Sequence, residues 1–295
     1  MKILLLGKTG QLGTELQRSL LPLGELITLS RHSTDHCGDL LRLNELVDTV
    51  RQIQPNVIVN AAAYTAVDHA QIQANEARQM NAVAPGVLAQ EAAALGAWLV
   101  HYSTDYVFSG RGSRPWAETD PTEPLNVYGQ TKLDGDVAVQ ASGCKHLILR
   151  TSWLYGRQGG NFARTILQRA QTQDHLAVVN DQFGAPTGAD LLADLTVHAL
   201  AQAMQRPELA GLYHVAAQGK ATWFSYAQFV LEQAQRRGLA LRVPPEAVEP
   251  VSSEAYGALA PRPANSRLNT GKFCSAFGVA LPSWQDGVAR LVADL

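Results

Sequence analysis

An α/β chain, built on a doubly wound parallel sheet with a smaller C-terminal α/β lobe, is predicted by three observations. Short β-branched or leucine-rich runs alternate with helix-length segments through the first half of the sequence. A glycine-rich turn, Gly7-Lys8-Thr9-Gly10-Gln11-Leu12-Gly13, follows the first run directly and opens the first helical segment. After Arg150 the alternation becomes less regular.

The strand-like runs are Ile3–Leu6, Leu26–Leu29, Val57–Asn60, Trp98–Ser103 and Leu147–Arg150. Helices are predicted between them at about residues 11–21, 44–53, 75–95 and 126–141, so consecutive strands run parallel with helices on both faces. This is a Rossmann-type arrangement over residues 1–150. Residues 151–295 are expected to form mainly the smaller lobe, with some segments returning to the Rossmann core. Helices are predicted there near 162–172, 190–205 and 226–237, with a strand-like stretch at Gly211–Val215 read with the lobe. Pro244, Pro245, Pro250, Pro261 and Pro263 interrupt the stretch after Leu241, which predicts loop up to a segment bearing Arg262 and a last helix near 284–292.

Composition excludes several classes of function. The chain has 295 residues, 46% hydrophobic and 17% charged, which is ordinary for a globular protein. Its 24 Lys and Arg against 26 Asp and Glu are spread along the chain, so no basic stripe marks it for nucleic acid. The N-terminal apolar run stops at Gly7, too early for a signal peptide, and no apolar stretch reaches the roughly 18 residues of a membrane span. The odd set Cys37, Cys144 and Cys274, without CxxC spacing, suits a reducing cytoplasm.

The turn over Gly7, Gly10, Gln11, Leu12 and Gly13 has the chemistry of a dinucleotide site. Glycines let the backbone approach a pyrophosphate, whose charge meets free N–H groups at the positive end of the helix dipole. No Gly-Lys-Ser/Thr follows, so Lys8 does not make a P-loop. At the end of the second strand stands Arg31, where a site preferring NAD usually carries a carboxylate. An arginine suits a 2′-phosphate, so NADPH is the expected cofactor, with NADH the alternative. Asp39, Leu40, Ala62, Ala63, Tyr64 and Thr65 occupy the loops expected to flank adenine and the nicotinamide ribose.

Tyr128 and Lys132 are four residues apart on a predicted helix, hence on one face. In this YxxxK arrangement Lys132 holds the ribose hydroxyls and its charge favours tyrosinate, so Tyr128 can exchange a proton near neutral pH. Thr104, or less readily Ser103, leaves the fourth strand at its carboxyl end and can hydrogen-bond the reacting oxygen. A carbonyl held by Thr104 and Tyr128 would take hydride from the nicotinamide and a proton from Tyr128. Trp153 follows the fifth strand at the same end of the sheet. His32, His36 and Cys37 have the look of metal spacing but fall in a surface loop, and His101 and His214 read as satisfied core or surface histidines.

These residues carry a resemblance over nearly the full length. The glycine loop, Asn60–Asp68, Ser103–Phe108, Tyr128–Lys132, Arg150–Gly156, Asp181–Thr187 and Arg262–Ser266 together resemble the dTDP-4-dehydrorhamnose reductases, a family of the extended short-chain dehydrogenase/reductase superfamily. The resemblance implies reduction of the 4-keto group of a dTDP-sugar, with Thr104, Tyr128 and Lys132 as the catalytic triad. It implies that Trp153 packs on the sugar, that Asp105 and Tyr106 line the sugar pocket, and that Arg262 contacts the nucleotide or its diphosphate. It further implies a homodimer held partly by Mg²⁺, with Glu15, Asp190 and Asp294 as ligands; oxygen ligands suit that ion. Gln71, Gln73 and Asn269 stand where the family is often acidic.

Two alternatives remain at this point. A nucleotide-sugar epimerase or dehydratase would share the fold, although Thr104 is followed by Asp105-Tyr106 rather than the Asp-Glu pair that dehydration uses. A non-catalytic regulator resembling the regulatory subunit of methionine adenosyltransferase would share it too, without needing the triad.

Overall fold

The computed structural model describes Met1–Leu295. Its centre is a six-stranded, wholly parallel sheet formed by β1 (Lys2–Leu6), β2 (Glu25–Leu29), β3 (Val57–Asn60), β4 (Trp98–Thr104), β5 (Lys145–Thr151) and a strand from the second half of the chain. Four short strands, β6 (Leu154–Tyr155), β7 (Ala177–Val179), β8 (Phe183–Gly184) and β9 (Thr187–Gly188), precede that strand, β10 (Gly211–His214). The order across the sheet is β10-β5-β4-β3-β1-β2, so the winding reverses between β1 and β3 and opens a crevice at their carboxyl ends. β3 and β4 are buried along their whole length, as strands covered on both faces must be, which explains the apolar runs Val57–Val59 and Trp98–Val100 with which they begin.

Helices α1 (Gln11–Leu20) and α2 (Leu43–Ile53) end within a residue of the sequence reading. The predicted helix at 75–95 is not continuous. Two short helices, α3 (Val67–Ala70) and α4 (Ala74–Arg78), lead into a π-helical turn at Gln79–Val83, and only then does α5 (Ala84–Leu95) begin. Pro85 accounts for the break, because it has no N–H for the carbonyl of Asn81 and its ring crowds that carbonyl. The turn is put to use: Asn81 bonds Tyr64 through both backbone groups and Thr131 through its hydroxyl, and α6 (Val127–Ala141) packs so closely that a Cβ on Gly135 would lie 2.1 Å from the Asn81 carbonyl oxygen. Asn126 caps α6 by accepting from the Gly129 N–H.

In the second half α7 (Phe162–Thr172) and α8 (Ala189–Gln205) fall where the sequence places them. The strand read with the lobe, β10, instead pairs with β5 and completes the main sheet. α8 lies against α1 on one face of that sheet, and Leu192, Ala199 and Tyr213 share a core with Leu5, Val59 and Leu147. The lobe proper has its own core of Ile166, Tyr226, Val230, Trp284 and Val288, drawn from α7, from α9 (Trp223–Arg236) after the short β11 (Ala221–Thr222), and from the C-terminal helix. The proline-broken stretch expected as loop holds β12 (Glu249–Val251), paired with β7, and α10 (Ser253–Tyr256). α11 (Gly271–Phe277), which the sequence reading missed, places Phe273 and Phe277 against Tyr213, and α12 (Trp284–Ala293) closes the chain.

Candidate active site

A cleft of about 560 Å³ opens at the carboxyl ends of β1 to β5. Its lining brings together Gly7, Gly10, Gln11 and Leu12 of the first turn, Arg31, Asp39 and Leu40 after β2, and Ala62, Ala63 and Thr65 after β3. Thr104, Asp105 and Tyr106 after β4, Tyr128 and Lys132 from α6, and Trp153 after β5 complete it. Gly10, the N-cap of α1, has no side chain to cap the helix, so the first amides of α1 are available to an anion. A nicotinamide dinucleotide therefore fits this donor set.

Two of the expected cofactor residues do not line the cleft. Gly13 is buried behind the turn, where a Cβ would come within 2.0 Å of the Gly7 carbonyl oxygen; its part is close packing of helix on turn. Tyr64 points away, its hydroxyl donating to Gln73 at 2.6 Å while its backbone is held by Asn81. Gln73, noted in sequence as a departure from an acidic pattern, thus anchors a loop. Gln71 accepts from the Val127 N–H at 2.8 Å and ties that loop to the start of α6.

Tyr128 and Lys132 share a face of α6 turned toward the end of β4. Burial pushes the Tyr128 phenol up to about 12, with neighbouring Thr104 pulling it back. Burial lowers Lys132 to about 8 against the attraction of Asp136. Its Nζ donates to the Tyr102 carbonyl at 2.5 Å and lies 3.3 Å from His101 Nε2. Thr104 accepts from the Tyr106 N–H at 3.2 Å and donates to Asp105 at 3.2 Å. Burial lifts Asp105 to about 7, and its second carboxyl oxygen has no partner. The Tyr106 ring meets Tyr128 edge-on, with centroids 5.8 Å apart.

Behind these side chains lies a network that sequence reasoning did not find. Asp136, one turn beyond Lys132, receives Arg150 Nε at 3.0 Å and Ser103 Oγ at 2.9 Å, all three buried. Ser103 is therefore committed to buried Asp136, which leaves Thr104, bonded only within its own turn, as the cleft hydroxyl placed to meet a substrate. The i to i+4 spacing of Lys132 and Asp136 was visible, but the partner Arg150 comes from the next strand, β5, and helical spacing does not reveal it.

Trp153 has a left-handed backbone with φ of +48°, an uncommon setting for so large a residue. Its indole stacks on Trp223 with centroids 3.7 Å apart, and Gly184 makes room for it, since a Cβ there would sit 2.4 Å from the ring. Trp223 lines both the main cleft and a second cavity of about 380 Å³ whose walls include Phe162, Arg169, Gln182, Tyr256 and Arg262. Arg262 lies in this second cavity rather than in the cofactor cleft, paired with Asp68 at 2.8 Å, a contact that holds the Asp68 carboxyl below its ordinary range.

Glu15, Asp190 and Asp294 do gather around one small depression, where arginines pair with the two aspartates. Arg290 pairs with Asp190 at 2.5 Å, Arg157 with Asp294 at 3.1 Å and Arg18 approaches Glu15 at 3.7 Å. No group of three metal-ligating side chains occurs in the molecule, His32, His36 and Cys37 included. Asp190 and Asp294 are thus paired with exposed guanidinium groups, while Arg18 bonds Asp194 at 2.8 Å and only approaches Glu15.

Fold and site together define a nicotinamide-dependent oxidoreductase of the short-chain type. A family model described as the RmlD substrate binding domain matches residues 1–295, and the chain belongs to that family. It is 54% identical to the dTDP-4-dehydrorhamnose reductase of Shigella flexneri and 53% identical to that of Escherichia coli K12, in each case over all of this chain and 98% of the relative. Among solved structures, the dTDP-4-dehydrorhamnose reductase of Bacillus anthracis in complex with NADP superposes with a TM-score of 0.88 at 31% identity, covering all of both chains. A dTDP-glucose 4,6-dehydratase from Streptomyces venezuelae, at 22% identity and a TM-score of 0.78 over all of this chain and 96% of that one, shares the fold. No helix is long and apolar enough to cross a membrane.

Proposed function

We propose that this chain reduces the 4-keto group of dTDP-4-dehydro-L-rhamnose to dTDP-L-rhamnose with NADPH. The observation that carries the reading is the convergence of Thr104, Tyr128 and Lys132 at the mouth of the glycine-turn cleft. Full-length relatives of that activity support the substrate.

When bound, the reduced nicotinamide supplies hydride to the carbonyl carbon. Thr104 and Tyr128 hydrogen-bond the carbonyl oxygen, and Tyr128 passes it a proton as charge builds there. Lys132 stabilises the phenolate left behind and, through its own proton, restores the phenol. Arg31, at the cleft edge after β2, supports preference for the 2′-phosphate of NADPH. The glycine turn would receive the pyrophosphate. The second cavity, with Arg262 and Arg169 among its walls, supports placing the thymidine diphosphate there, the sugar lying beside Trp153 near Asp105 and Tyr106. Three unpaired cysteines support a cytoplasmic setting. The family resemblance supports a homodimer, which sedimentation would read directly.

Dehydration is disfavoured because Tyr106 occupies the position of the second acid. NADPH oxidation on adding the keto-sugar, generated from dTDP-glucose by the two preceding enzyme activities, tests the proposal. Loss of nicotinamide absorbance with appearance of dTDP-rhamnose supports it. Cofactor binding without oxidation would point to another keto-sugar or to a binding protein.

A further inference from the structure

His101 is fully buried in the middle of β4, and the chemistry proposed for Thr104, Tyr128 and Lys132 makes no use of it. Its surroundings fix its protons. The Ala62 backbone N–H, which can only donate, bonds the Asn60 side-chain oxygen at 3.3 Å. The Asn60 amide therefore presents its NH₂ to His101 Nδ1, 3.4 Å away. Burial keeps the imidazole neutral. With Nδ1 accepting, its one proton is on Nε2, and Nε2 lies 3.3 Å from Lys132 Nζ.

We propose that Ala62, Asn60 and His101 form a directional hydrogen-bond chain whose last N–H points at Lys132 and favours the neutral amine over the ammonium. The neutral amine satisfies every member: its lone pair accepts from Nε2–H while it donates to the Tyr102 carbonyl. Protonation sets N–H against N–H. It forces the imidazole proton across to Nδ1, where it meets the Asn60 NH₂, or else turns Asn60 and strands the Ala62 N–H. One buried hydrogen bond is lost in either case. His101 is thus a positioning residue that tunes Lys132 toward the working pH, where an acid that must repeatedly surrender and regain a proton is most effective.

The other groups facing Lys132 do not reproduce this effect. Asp136 on its own helix pulls the other way, toward the ammonium, and Arg150 on β5 is spent on Asp136. Tyr128 is neutral at working pH, Asp105 lies in the turn after β4, and His146 on β5 acts on His101. The π-helical turn packed against α6 carries no ionisable side chain.

The kinetic part of the test rests on the reductase reading; the spectroscopic part does not. In cofactor-free protein labelled with ¹⁵N-histidine, His101 is assigned by the signals lost in His101→Gln, or in His101→Asn if the first variant does not fold. At about pH 9.5, above the titration of Lys132, the Nε2–H tautomer is expected, and Nδ1–H at that pH overturns the proposal. In His101→Gln the carboxamide oxygen can turn to the ammonium. The alkaline limb of kcat/KM for reduction is then expected to move up by about one pH unit, the span of one buried hydrogen bond. A limb that stays in place or moves down in the folded variant overturns it as well.

Discussion

Replacing Asp136 with leucine removes the only anion from a buried cluster. Arg150 is 4% exposed and Asp136 fully buried, and Ser103 points at the same carboxyl oxygen. Breaking a buried ion pair from one side costs about 3–5 kcal/mol, because the surviving charge has neither solvent nor partner. Unfolding entropy of about 2 cal/mol/K per residue gives a chain of this length about 0.6 kcal/mol/K, so the melting temperature should drop by about 5–8 °C. Calorimetry at neutral pH without cofactor measures this. The double variant Asp136→Leu with Arg150→Met removes the stranded cation and should recover most of the loss. A fall of less than about 2 °C, or a double variant no more stable than the single one, would refute the view that Arg150 depends on Asp136.

The same geometry makes four shorter predictions. Tyr128→Phe should lower kcat by about 10²–10⁴-fold while titration calorimetry finds NADPH affinity unchanged; near-normal turnover would remove Tyr128 from the chemistry. Gly13→Ala places a methyl 2.0 Å from the Gly7 carbonyl oxygen, so NADPH affinity should fall by at least about tenfold, seen by quenching of nicotinamide fluorescence. Arg31→Ala should raise KM for NADPH by about tenfold and leave KM for NADH nearly unchanged, the loss of one charge-assisted contact to the 2′-phosphate. Asp105 titrates near 7 in the fold against 3.8 ordinarily, so the folded state favours its protonated form. That stabilisation is complete below about pH 4 and is lost as pH rises through 7, at up to about 1.4 kcal/mol per pH unit. Asp105→Asn should therefore melt with the parent near pH 4 and above it at pH 8, and parallel curves would show that Asp105 is not held neutral.

The features legible in the sequence are those local to it. The glycine turn lies next to its strand and helix, and Tyr128 and Lys132 are one helical turn apart, so spacing alone puts them on one face. The break at Asn81 was also encoded, in Pro85, but hydrophobic pattern over 75–95 outweighed one proline in the reading. The features that stayed hidden depend on distant pairing. β10 is only four residues long and declares its place in the main sheet through its bonds to β5; α11 has seven residues and is recognised by the two phenylalanines it presents to Tyr213. Glu15, Asp190 and Asp294 do line one depression, yet Arg290 and Arg157, which pair with Asp190 and Asp294, come from elsewhere in the chain, and a pattern of carboxylates does not reveal who pairs with them.

The stacked indoles of Trp153 and Trp223 stand where the cofactor cleft meets the second cavity, close enough for their excited states to couple. Such a pair gives a two-signed band in far-ultraviolet circular dichroism, from the strong indole transition, that vanishes once the rings separate. In the placement proposed above, a sugar nucleotide reaching from one cavity to the other passes this pair, so the band would serve as a gauge of substrate entry, readable without label and without turnover.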